Sequence, residues 1–207
     1  MIPSTLLIAK FVCRVLANGL YHLRVEGREN IPLQGPAVLI SNHVTFIDWM
    51  IIFSGSPRPV RFVMHQSFLK IPLMSGLFKA AGVIPIAGAK ENPVVFESAF
   101  DQISRDLREG EIVCIFPEGK LTSDGRIDRF RPGINRILKE NQVPVIPMAL
   151  NGLWGSFFSR KEGMALRRPF RRIRSRISLV IGKALSPEKA GTALLYEQVS
   201  RLRSGDE

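Results

Sequence analysis

Ala37-Val38-Leu39-Ile40-Ser41-Asn42-His43-Val44-Thr45-Phe46-Ile47-Asp48 passes from an unbroken apolar run into a short loop ending on an acidic residue. A brief apolar run without alternation is the pattern of a strand covered on both faces. Runs of the same kind recur at 60–64, 83–86, 112–116, 143–150 and 177–181, with helical patterns between them. That rhythm predicts one α/β domain, built on a mixed, mostly parallel central sheet flanked by helices. The clearest helix starts at Asn92, a capping residue, with Pro93 at the first helical position and Phe96, Phe100, Ile103 and Leu107 along one side; Gly110 ends it. A second start is read at Ser186-Pro187-Glu188, leading to Leu194, Leu195, Val199 and Leu202.

Within the opening stretch the residues able to do chemistry are His43 and Asp48. In a regular helix, residues five apart stand about 140° from each other and do not meet. The pair therefore requires His43 in the loop and Asp48 in the first turn of the next helix. There the carboxylate can hold one imidazole nitrogen and leave the other as a base. A second candidate corner, Phe116-Pro117-Glu118-Gly119-Lys120, follows the apolar run at 112–116. Pro117 stops a ladder, Gly119 admits close approach of a ligand, and Glu118 and Lys120 bring both signs of charge to a strand end, where α/β folds bind ligands. Read alone, it is also an ordinary Pro-Glu-Gly turn.

The chain has 207 residues, 45% of them hydrophobic, enough for one sizeable core. Its 29 Lys and Arg against 18 Asp and Glu predict an anionic partner: a phospholipid surface, nucleic acid or an acidic metabolite. Six arginines and one aromatic lie between Arg167 and Arg176, a run that suits docking on a negatively charged leaflet, although a solvated face has the same composition. Duplex nucleic acid would attract the same charge, yet no helix-turn-helix, zinc-finger or RNA-binding signature accompanies it, so no nucleic-acid partner is expected. Cys13 and Cys114 sit among apolar residues without a second Cys or His near enough to complete a metal site, and no metal is expected. His22 and His65 have no acidic partner at a suggestive spacing and read as structural.

No stretch of about 18 uncharged apolar residues exists to form a conventional membrane span. Instead Leu6, Leu7, Ile8, Phe11, Val12, Val15, Leu16 and Leu20, interrupted by Lys10 and Arg14, form a broad apolar face. Two readings fit it: an amphipathic helix lying among lipid headgroups, or a helix packed on the core. The first makes residues 1–23 a membrane-associating helix ahead of a domain at 24–207.

Asn42-His43 with Asp48, followed by Phe116-Pro117-Glu118-Gly119, resembles the two signature blocks of the glycerolipid (lysophospholipid) acyltransferases of the 1-acylglycerol-3-phosphate acyltransferase type. The likeness extends over residues 24–183 and includes Val145-Ile146-Pro147-Met148-Ala149-Leu150. It implies acyl transfer from acyl-CoA or acyl-carrier protein to a lysophospholipid hydroxyl, with His43 as base, Asp48 orienting it, Glu118 and Gly119 shaping the acceptor site, and no resident cofactor. The two isolated cysteines point separately to a reducing, cytosolic exposure and, with the basic charge and the N-terminal apolar face, to work at the cytoplasmic face of a membrane as a peripheral or monotopic protein. The chain departs from the family where an Arg usually contacts the acceptor's phosphate, for it reads Gly82-Val83-Ile84-Pro85-Ile86-Ala87-Gly88. Lys90 is the nearest cation, and Lys120-Leu121 replaces the usual Thr-Arg. Arg131, before Pro132-Gly133, is a further phosphate candidate. These departures weaken lysophosphatidic acid as the acceptor and make a substituted lysolipid, such as lysophosphatidylethanolamine, its competitor. A non-catalytic lipid-binding protein and, behind it, a nucleic-acid-binding domain are the competing readings.

Overall fold

The structure, a computed structural model, describes residues 4–70, 76, 78, 81–161 and 174–205. Seven strands form one sheet: β1 (His22–Glu26), β2 (Ala37–Ser41), β3 (Arg61–His65), β4 (Ile84–Ile86), β5 (Ile112–Ile115), β6 (Val145–Asn151) and β7 (Arg176–Ile181), in the order β1-β7-β6-β2-β5-β3-β4. Neighbours are parallel except β6 and β7, so β2 to β6 run one way and β1 and β7 the other. β2, the strand read first, is buried along its whole length between β6 and β5.

Helices cover both faces. On one lie α1 (Ser4–Leu20) and α2 (Asp48–Gly55), whose Ala9, Cys13, Ala17, Ile51 and Phe53 join Leu39, Cys114 and Leu179 in a common core. On the other lie α3 (Pro93–Arg108), α4 (Gly133–Asn141) and α5 (Thr192–Ser204), which bury Phe100, Ile103, Ile137, Leu195 and Val199 against Val38, Ile40 and Val113. Burying each such side chain contributes about 1.5–3 kcal/mol, and both faces of the central strands are used.

α3 forms as its sequence predicts. The Asn92 side chain accepts from the Val95 N–H at 3.2 Å, Pro93 fills the first position, and Gly110 follows at φ +81°. Two elements differ from expectation. Ser186-Pro187-Glu188 makes only a single turn, in which the Ser186 carbonyl accepts from the Lys189 and Ala190 N–H groups; Gly191 interrupts it, and α5 begins at Thr192. β1, with charged and apolar residues alternating over five positions, escaped notice; it pairs with β7 from His22↔Arg176 onward, so α1 ends at Leu20 and His22 and Leu23 already belong to the sheet.

α1 packs one side on the core and leaves a second apolar side open. Its small residues Ala9, Cys13 and Ala17, four apart, are buried, whereas Leu7, Ile8, Phe11, Val12, Val15 and Leu16 remain exposed, Phe11 at 68%. No helix among the described residues is long and apolar enough to cross a membrane. Residues 167–173 of the arginine-rich run, and Met74, lie outside the described residues; Arg174 and Arg176 are within them and exposed.

Candidate active site

β2 delivers the chain into the loop at 42–47, and Asn42 fixes the exit. Its side chain donates to the Leu150 carbonyl at 3.1 Å and accepts from the Leu150 N–H at 2.8 Å, tying the loop to β6. Asp48 opens α2 and is fully buried. Its Oδ2 accepts from the Val44 N–H at 2.6 Å and the Thr45 N–H at 2.9 Å, and its Oδ1 from the Thr45 hydroxyl. The same Oδ2 lies 2.9 Å from His43 Nδ1. A carboxylate already taking three donors is an acceptor, so Nδ1 carries the proton and Nε2 presents a lone pair. The His43 side chain is 23% exposed, and Nε2 makes no hydrogen bond among the described residues.

The second corner is built onto the first. Phe116, just past β5, stacks on the His43 ring with centroids 4.1 Å apart and planes inclined by 15°. Glu118 is 1% exposed; Oε1 accepts from the His43 N–H at 2.7 Å and Oε2 from the Asp128 N–H at 2.8 Å. Burial pushes its carboxyl pKa up from the ordinary value, against the opposing pull of those two backbone bonds. The His43 carbonyl accepts from the Thr122 N–H at 2.9 Å, so the histidine backbone is held on both sides.

Gly119 has φ +66°, and a Cβ there would stand 2.7 Å from Arg131 Nε. The missing side chain is what admits the guanidinium, whose Nε donates to the Glu118 carbonyl at 3.1 Å. His43, Asp48, Glu118, Gly119 and Arg131 thus form one bonded corner. Lys120 lies at its edge, paired with Asp128 at 2.6 Å. Lys90 is exposed in the turn after β4, two strands beyond β5 in the sheet. Trp49 packs edge-on against Phe62 and Phe78, its ring 5.4 Å from the latter. Met64, Phe68 and Leu69 pack against the core of α1 and α2. Among the described residues, no group of three or more His, Cys, Asp or Glu is placed to hold a metal ion.

Sequence reasoning missed three contributors: the Phe116 stack, the Asn42 anchor, and the use of Glu118 to fasten two loops. It also misjudged His65, which pairs with Glu91 at 3.0 Å from 26 positions away and so does have an acidic partner.

The profile of the acyltransferase family matches residues 22–151. The chain is 29% identical over 158 residues to a chloroplastic 1-acyl-sn-glycerol-3-phosphate acyltransferase of Arabidopsis thaliana, covering 76% of this chain and 44% of that protein. It is 30% identical over 191 residues to the 1-acyl-sn-glycerol-3-phosphate acyltransferase of Pseudomonas aeruginosa, covering 91% and 68%. The chain spans less than half the length of the plant and algal relatives it matches. The crystal structure of a 1-acyl-sn-glycerophosphate acyltransferase from Thermotoga maritima superposes with TM-score 0.75 at 20% identity over 98% of this chain and 80% of that one, a likeness of fold. With the profile covering more than half its length, this chain belongs to the acyltransferase family.

Proposed function

We propose that this protein transfers a fatty acyl group from an acyl thioester, acyl-CoA or acyl-carrier protein, to the free hydroxyl of a lysophospholipid. One observation carries the reading: His43 Nδ1 is 2.9 Å from a buried, multiply bonded carboxylate, which leaves Nε2 as the base. Nε2 removes the hydroxyl proton as the oxygen attacks the thioester carbonyl; the carbon–sulfur bond then breaks, and the thiolate recovers the proton from the imidazolium. The products are an ester and a free thiol, with no acyl-enzyme and no resident cofactor. A positioned base of this kind contributes about 10²–10⁴-fold, and Asp48 stabilises the imidazolium formed on the way. Phe116 holds the ring flat, Glu118 fixes the backbone beneath it, and Arg131 offers the acceptor's phosphate a fork of donors.

The relatives' names support lysophosphatidic acid as the type acceptor. The exposed apolar side of α1 and the arginine-rich run support work on an anionic membrane, as a peripheral or monotopic protein on its cytoplasmic face. The test is incubation of the purified protein with labelled acyl-CoA or acyl-carrier protein and a panel of lysolipids, followed by lipid chromatography. A labelled diacyl phospholipid is expected; lipid binding without product from either donor would favour the non-catalytic alternative.

A further inference from the structure

The ends of β3 and β4 carry a second cluster, which the acyl-transfer corner does not use. Glu91, in the turn between β4 and α3, has Oε2 3.0 Å from His65 Nε2 and 3.3 Å from the Gly88 N–H that donates to it. Its Oε1 accepts from the Gln66 side chain at 3.2 Å. His65 Nδ1 in turn lies 2.8 Å from the Ser67 hydroxyl. These bonds, the one from His65 foremost, hold the Glu91 carboxyl below its ordinary range, so it is an anion at neutral pH. A carboxylate has about four acceptor positions; the three donors leave one free on Oε1, and the side chain is 49% exposed.

This cluster faces the same edge of the sheet as the catalytic corner. β2, β5, β3 and β4 are consecutive and parallel, so His43, Glu118, His65 and Gly88 all follow the carboxyl ends of neighbouring strands. At about 4.8 Å per strand, the end of β3 stands about 10 Å from that of β2. The Phe68 ring, three residues after His65, lies 6.1 Å from that of Phe46 in the catalytic loop, which makes the edge continuous.

Resting on the acyl-transfer reading, we propose that Glu91, braced by His65, Gln66 and the Gly88 amide, receives the ammonium of a zwitterionic acceptor, a lysophospholipid with an ethanolamine-type head. The cluster is a specificity element, remote from the reacting hydroxyl and in reach of the far end of an extended head group.

The experiment measures kcat/KM with acyl-CoA and three acceptors sharing one acyl chain: lysophosphatidylethanolamine, lysophosphatidylglycerol, which keeps the phosphodiester without the amine, and lysophosphatidic acid. Glu91→Gln should lower the ethanolamine value about fivefold, the scale of an exposed ion pair, and leave the glycerol value unchanged. Glu91→Lys should lower the ethanolamine value further and raise that for lysophosphatidic acid, a gain that damage to the turn would not produce. Equal losses on all three acceptors, or a wild-type protein that transfers to the other two without favouring ethanolamine, would overturn this proposal and leave the acyl-transfer reading standing. No transfer to any acceptor would overturn both.

Discussion

Glu118 does at the scale of one residue what a longer loop would need several contacts to do. Its two oxygens satisfy N–H groups at His43 and Asp128, drawn from segments 75 and 10 positions away. Glu118→Gln replaces one acceptor by an amide donor and leaves a half-buried N–H unmatched, at a cost of about 1 kcal/mol. Chemical denaturation at neutral pH should register that loss, and turnover should fall with it as the His43 backbone loosens. Gly119→Ala acts on a different atom. Its Cβ would fall within 2.7 Å of Arg131 Nε, so the guanidinium must move; steady-state kinetics should show KM for a phosphate-bearing acceptor rising more than kcat falls. The pairing of His43 with Asp48 was legible because both partners lie in one strand-loop-helix passage, whose geometry decides whether they meet. The Phe116 stack and the Glu118 bonds were not, because they join segments far apart in the chain and depend on backbone atoms, which every sequence supplies alike.

Among the elements, α1 presents the most unusual division of surface. Its narrow buried side is made of small residues and its wide exposed side of large apolar ones, the reverse of a helix that serves only the core. Phe11→Asp on the exposed side should abolish sedimentation with anionic vesicles while leaving the thermal midpoint in solution unchanged within a degree or two, since Phe11 is 68% exposed. Lys10 lies between the two sides, and burial, with Arg28 and Arg14 adding, brings its ammonium down from 10.5 to about 8. Between those pH values the folded chain holds fewer protons than the unfolded one, so stability rises with pH through the window and the cost of the charge is present in full below it. Lys10→Met should therefore melt higher than wild type at pH 7, with the gap closing as pH approaches 10.5. Periodicity revealed α1 and α3 because each is long and one-sided. β1 and the start of α5 were hidden for opposite reasons: an edge strand carries little apolar signal, and Ser-Pro-Glu is an equally good opening for a lone turn.

For the whole molecule, the consequential feature is the direction of five consecutive parallel strands, β6-β2-β5-β3-β4. Their carboxyl ends gather the His43 loop, the Pro117-Glu118-Gly119 turn and the His65–Glu91 cluster along one edge, as open α/β sheets gather their ligands. The alternation of apolar runs disclosed the sheet, but not which strands are neighbours, because strand order is settled by crossovers and by two faces filling together. The account stands on the imidazole of His43 as the base at that edge, and the most direct measurement is single-turnover transfer of labelled acyl groups by His43→Ala, alongside its thermal midpoint. It predicts transfer slower by about 10²–10⁴-fold with the fold retained; near-wild-type transfer by the folded variant would contradict it.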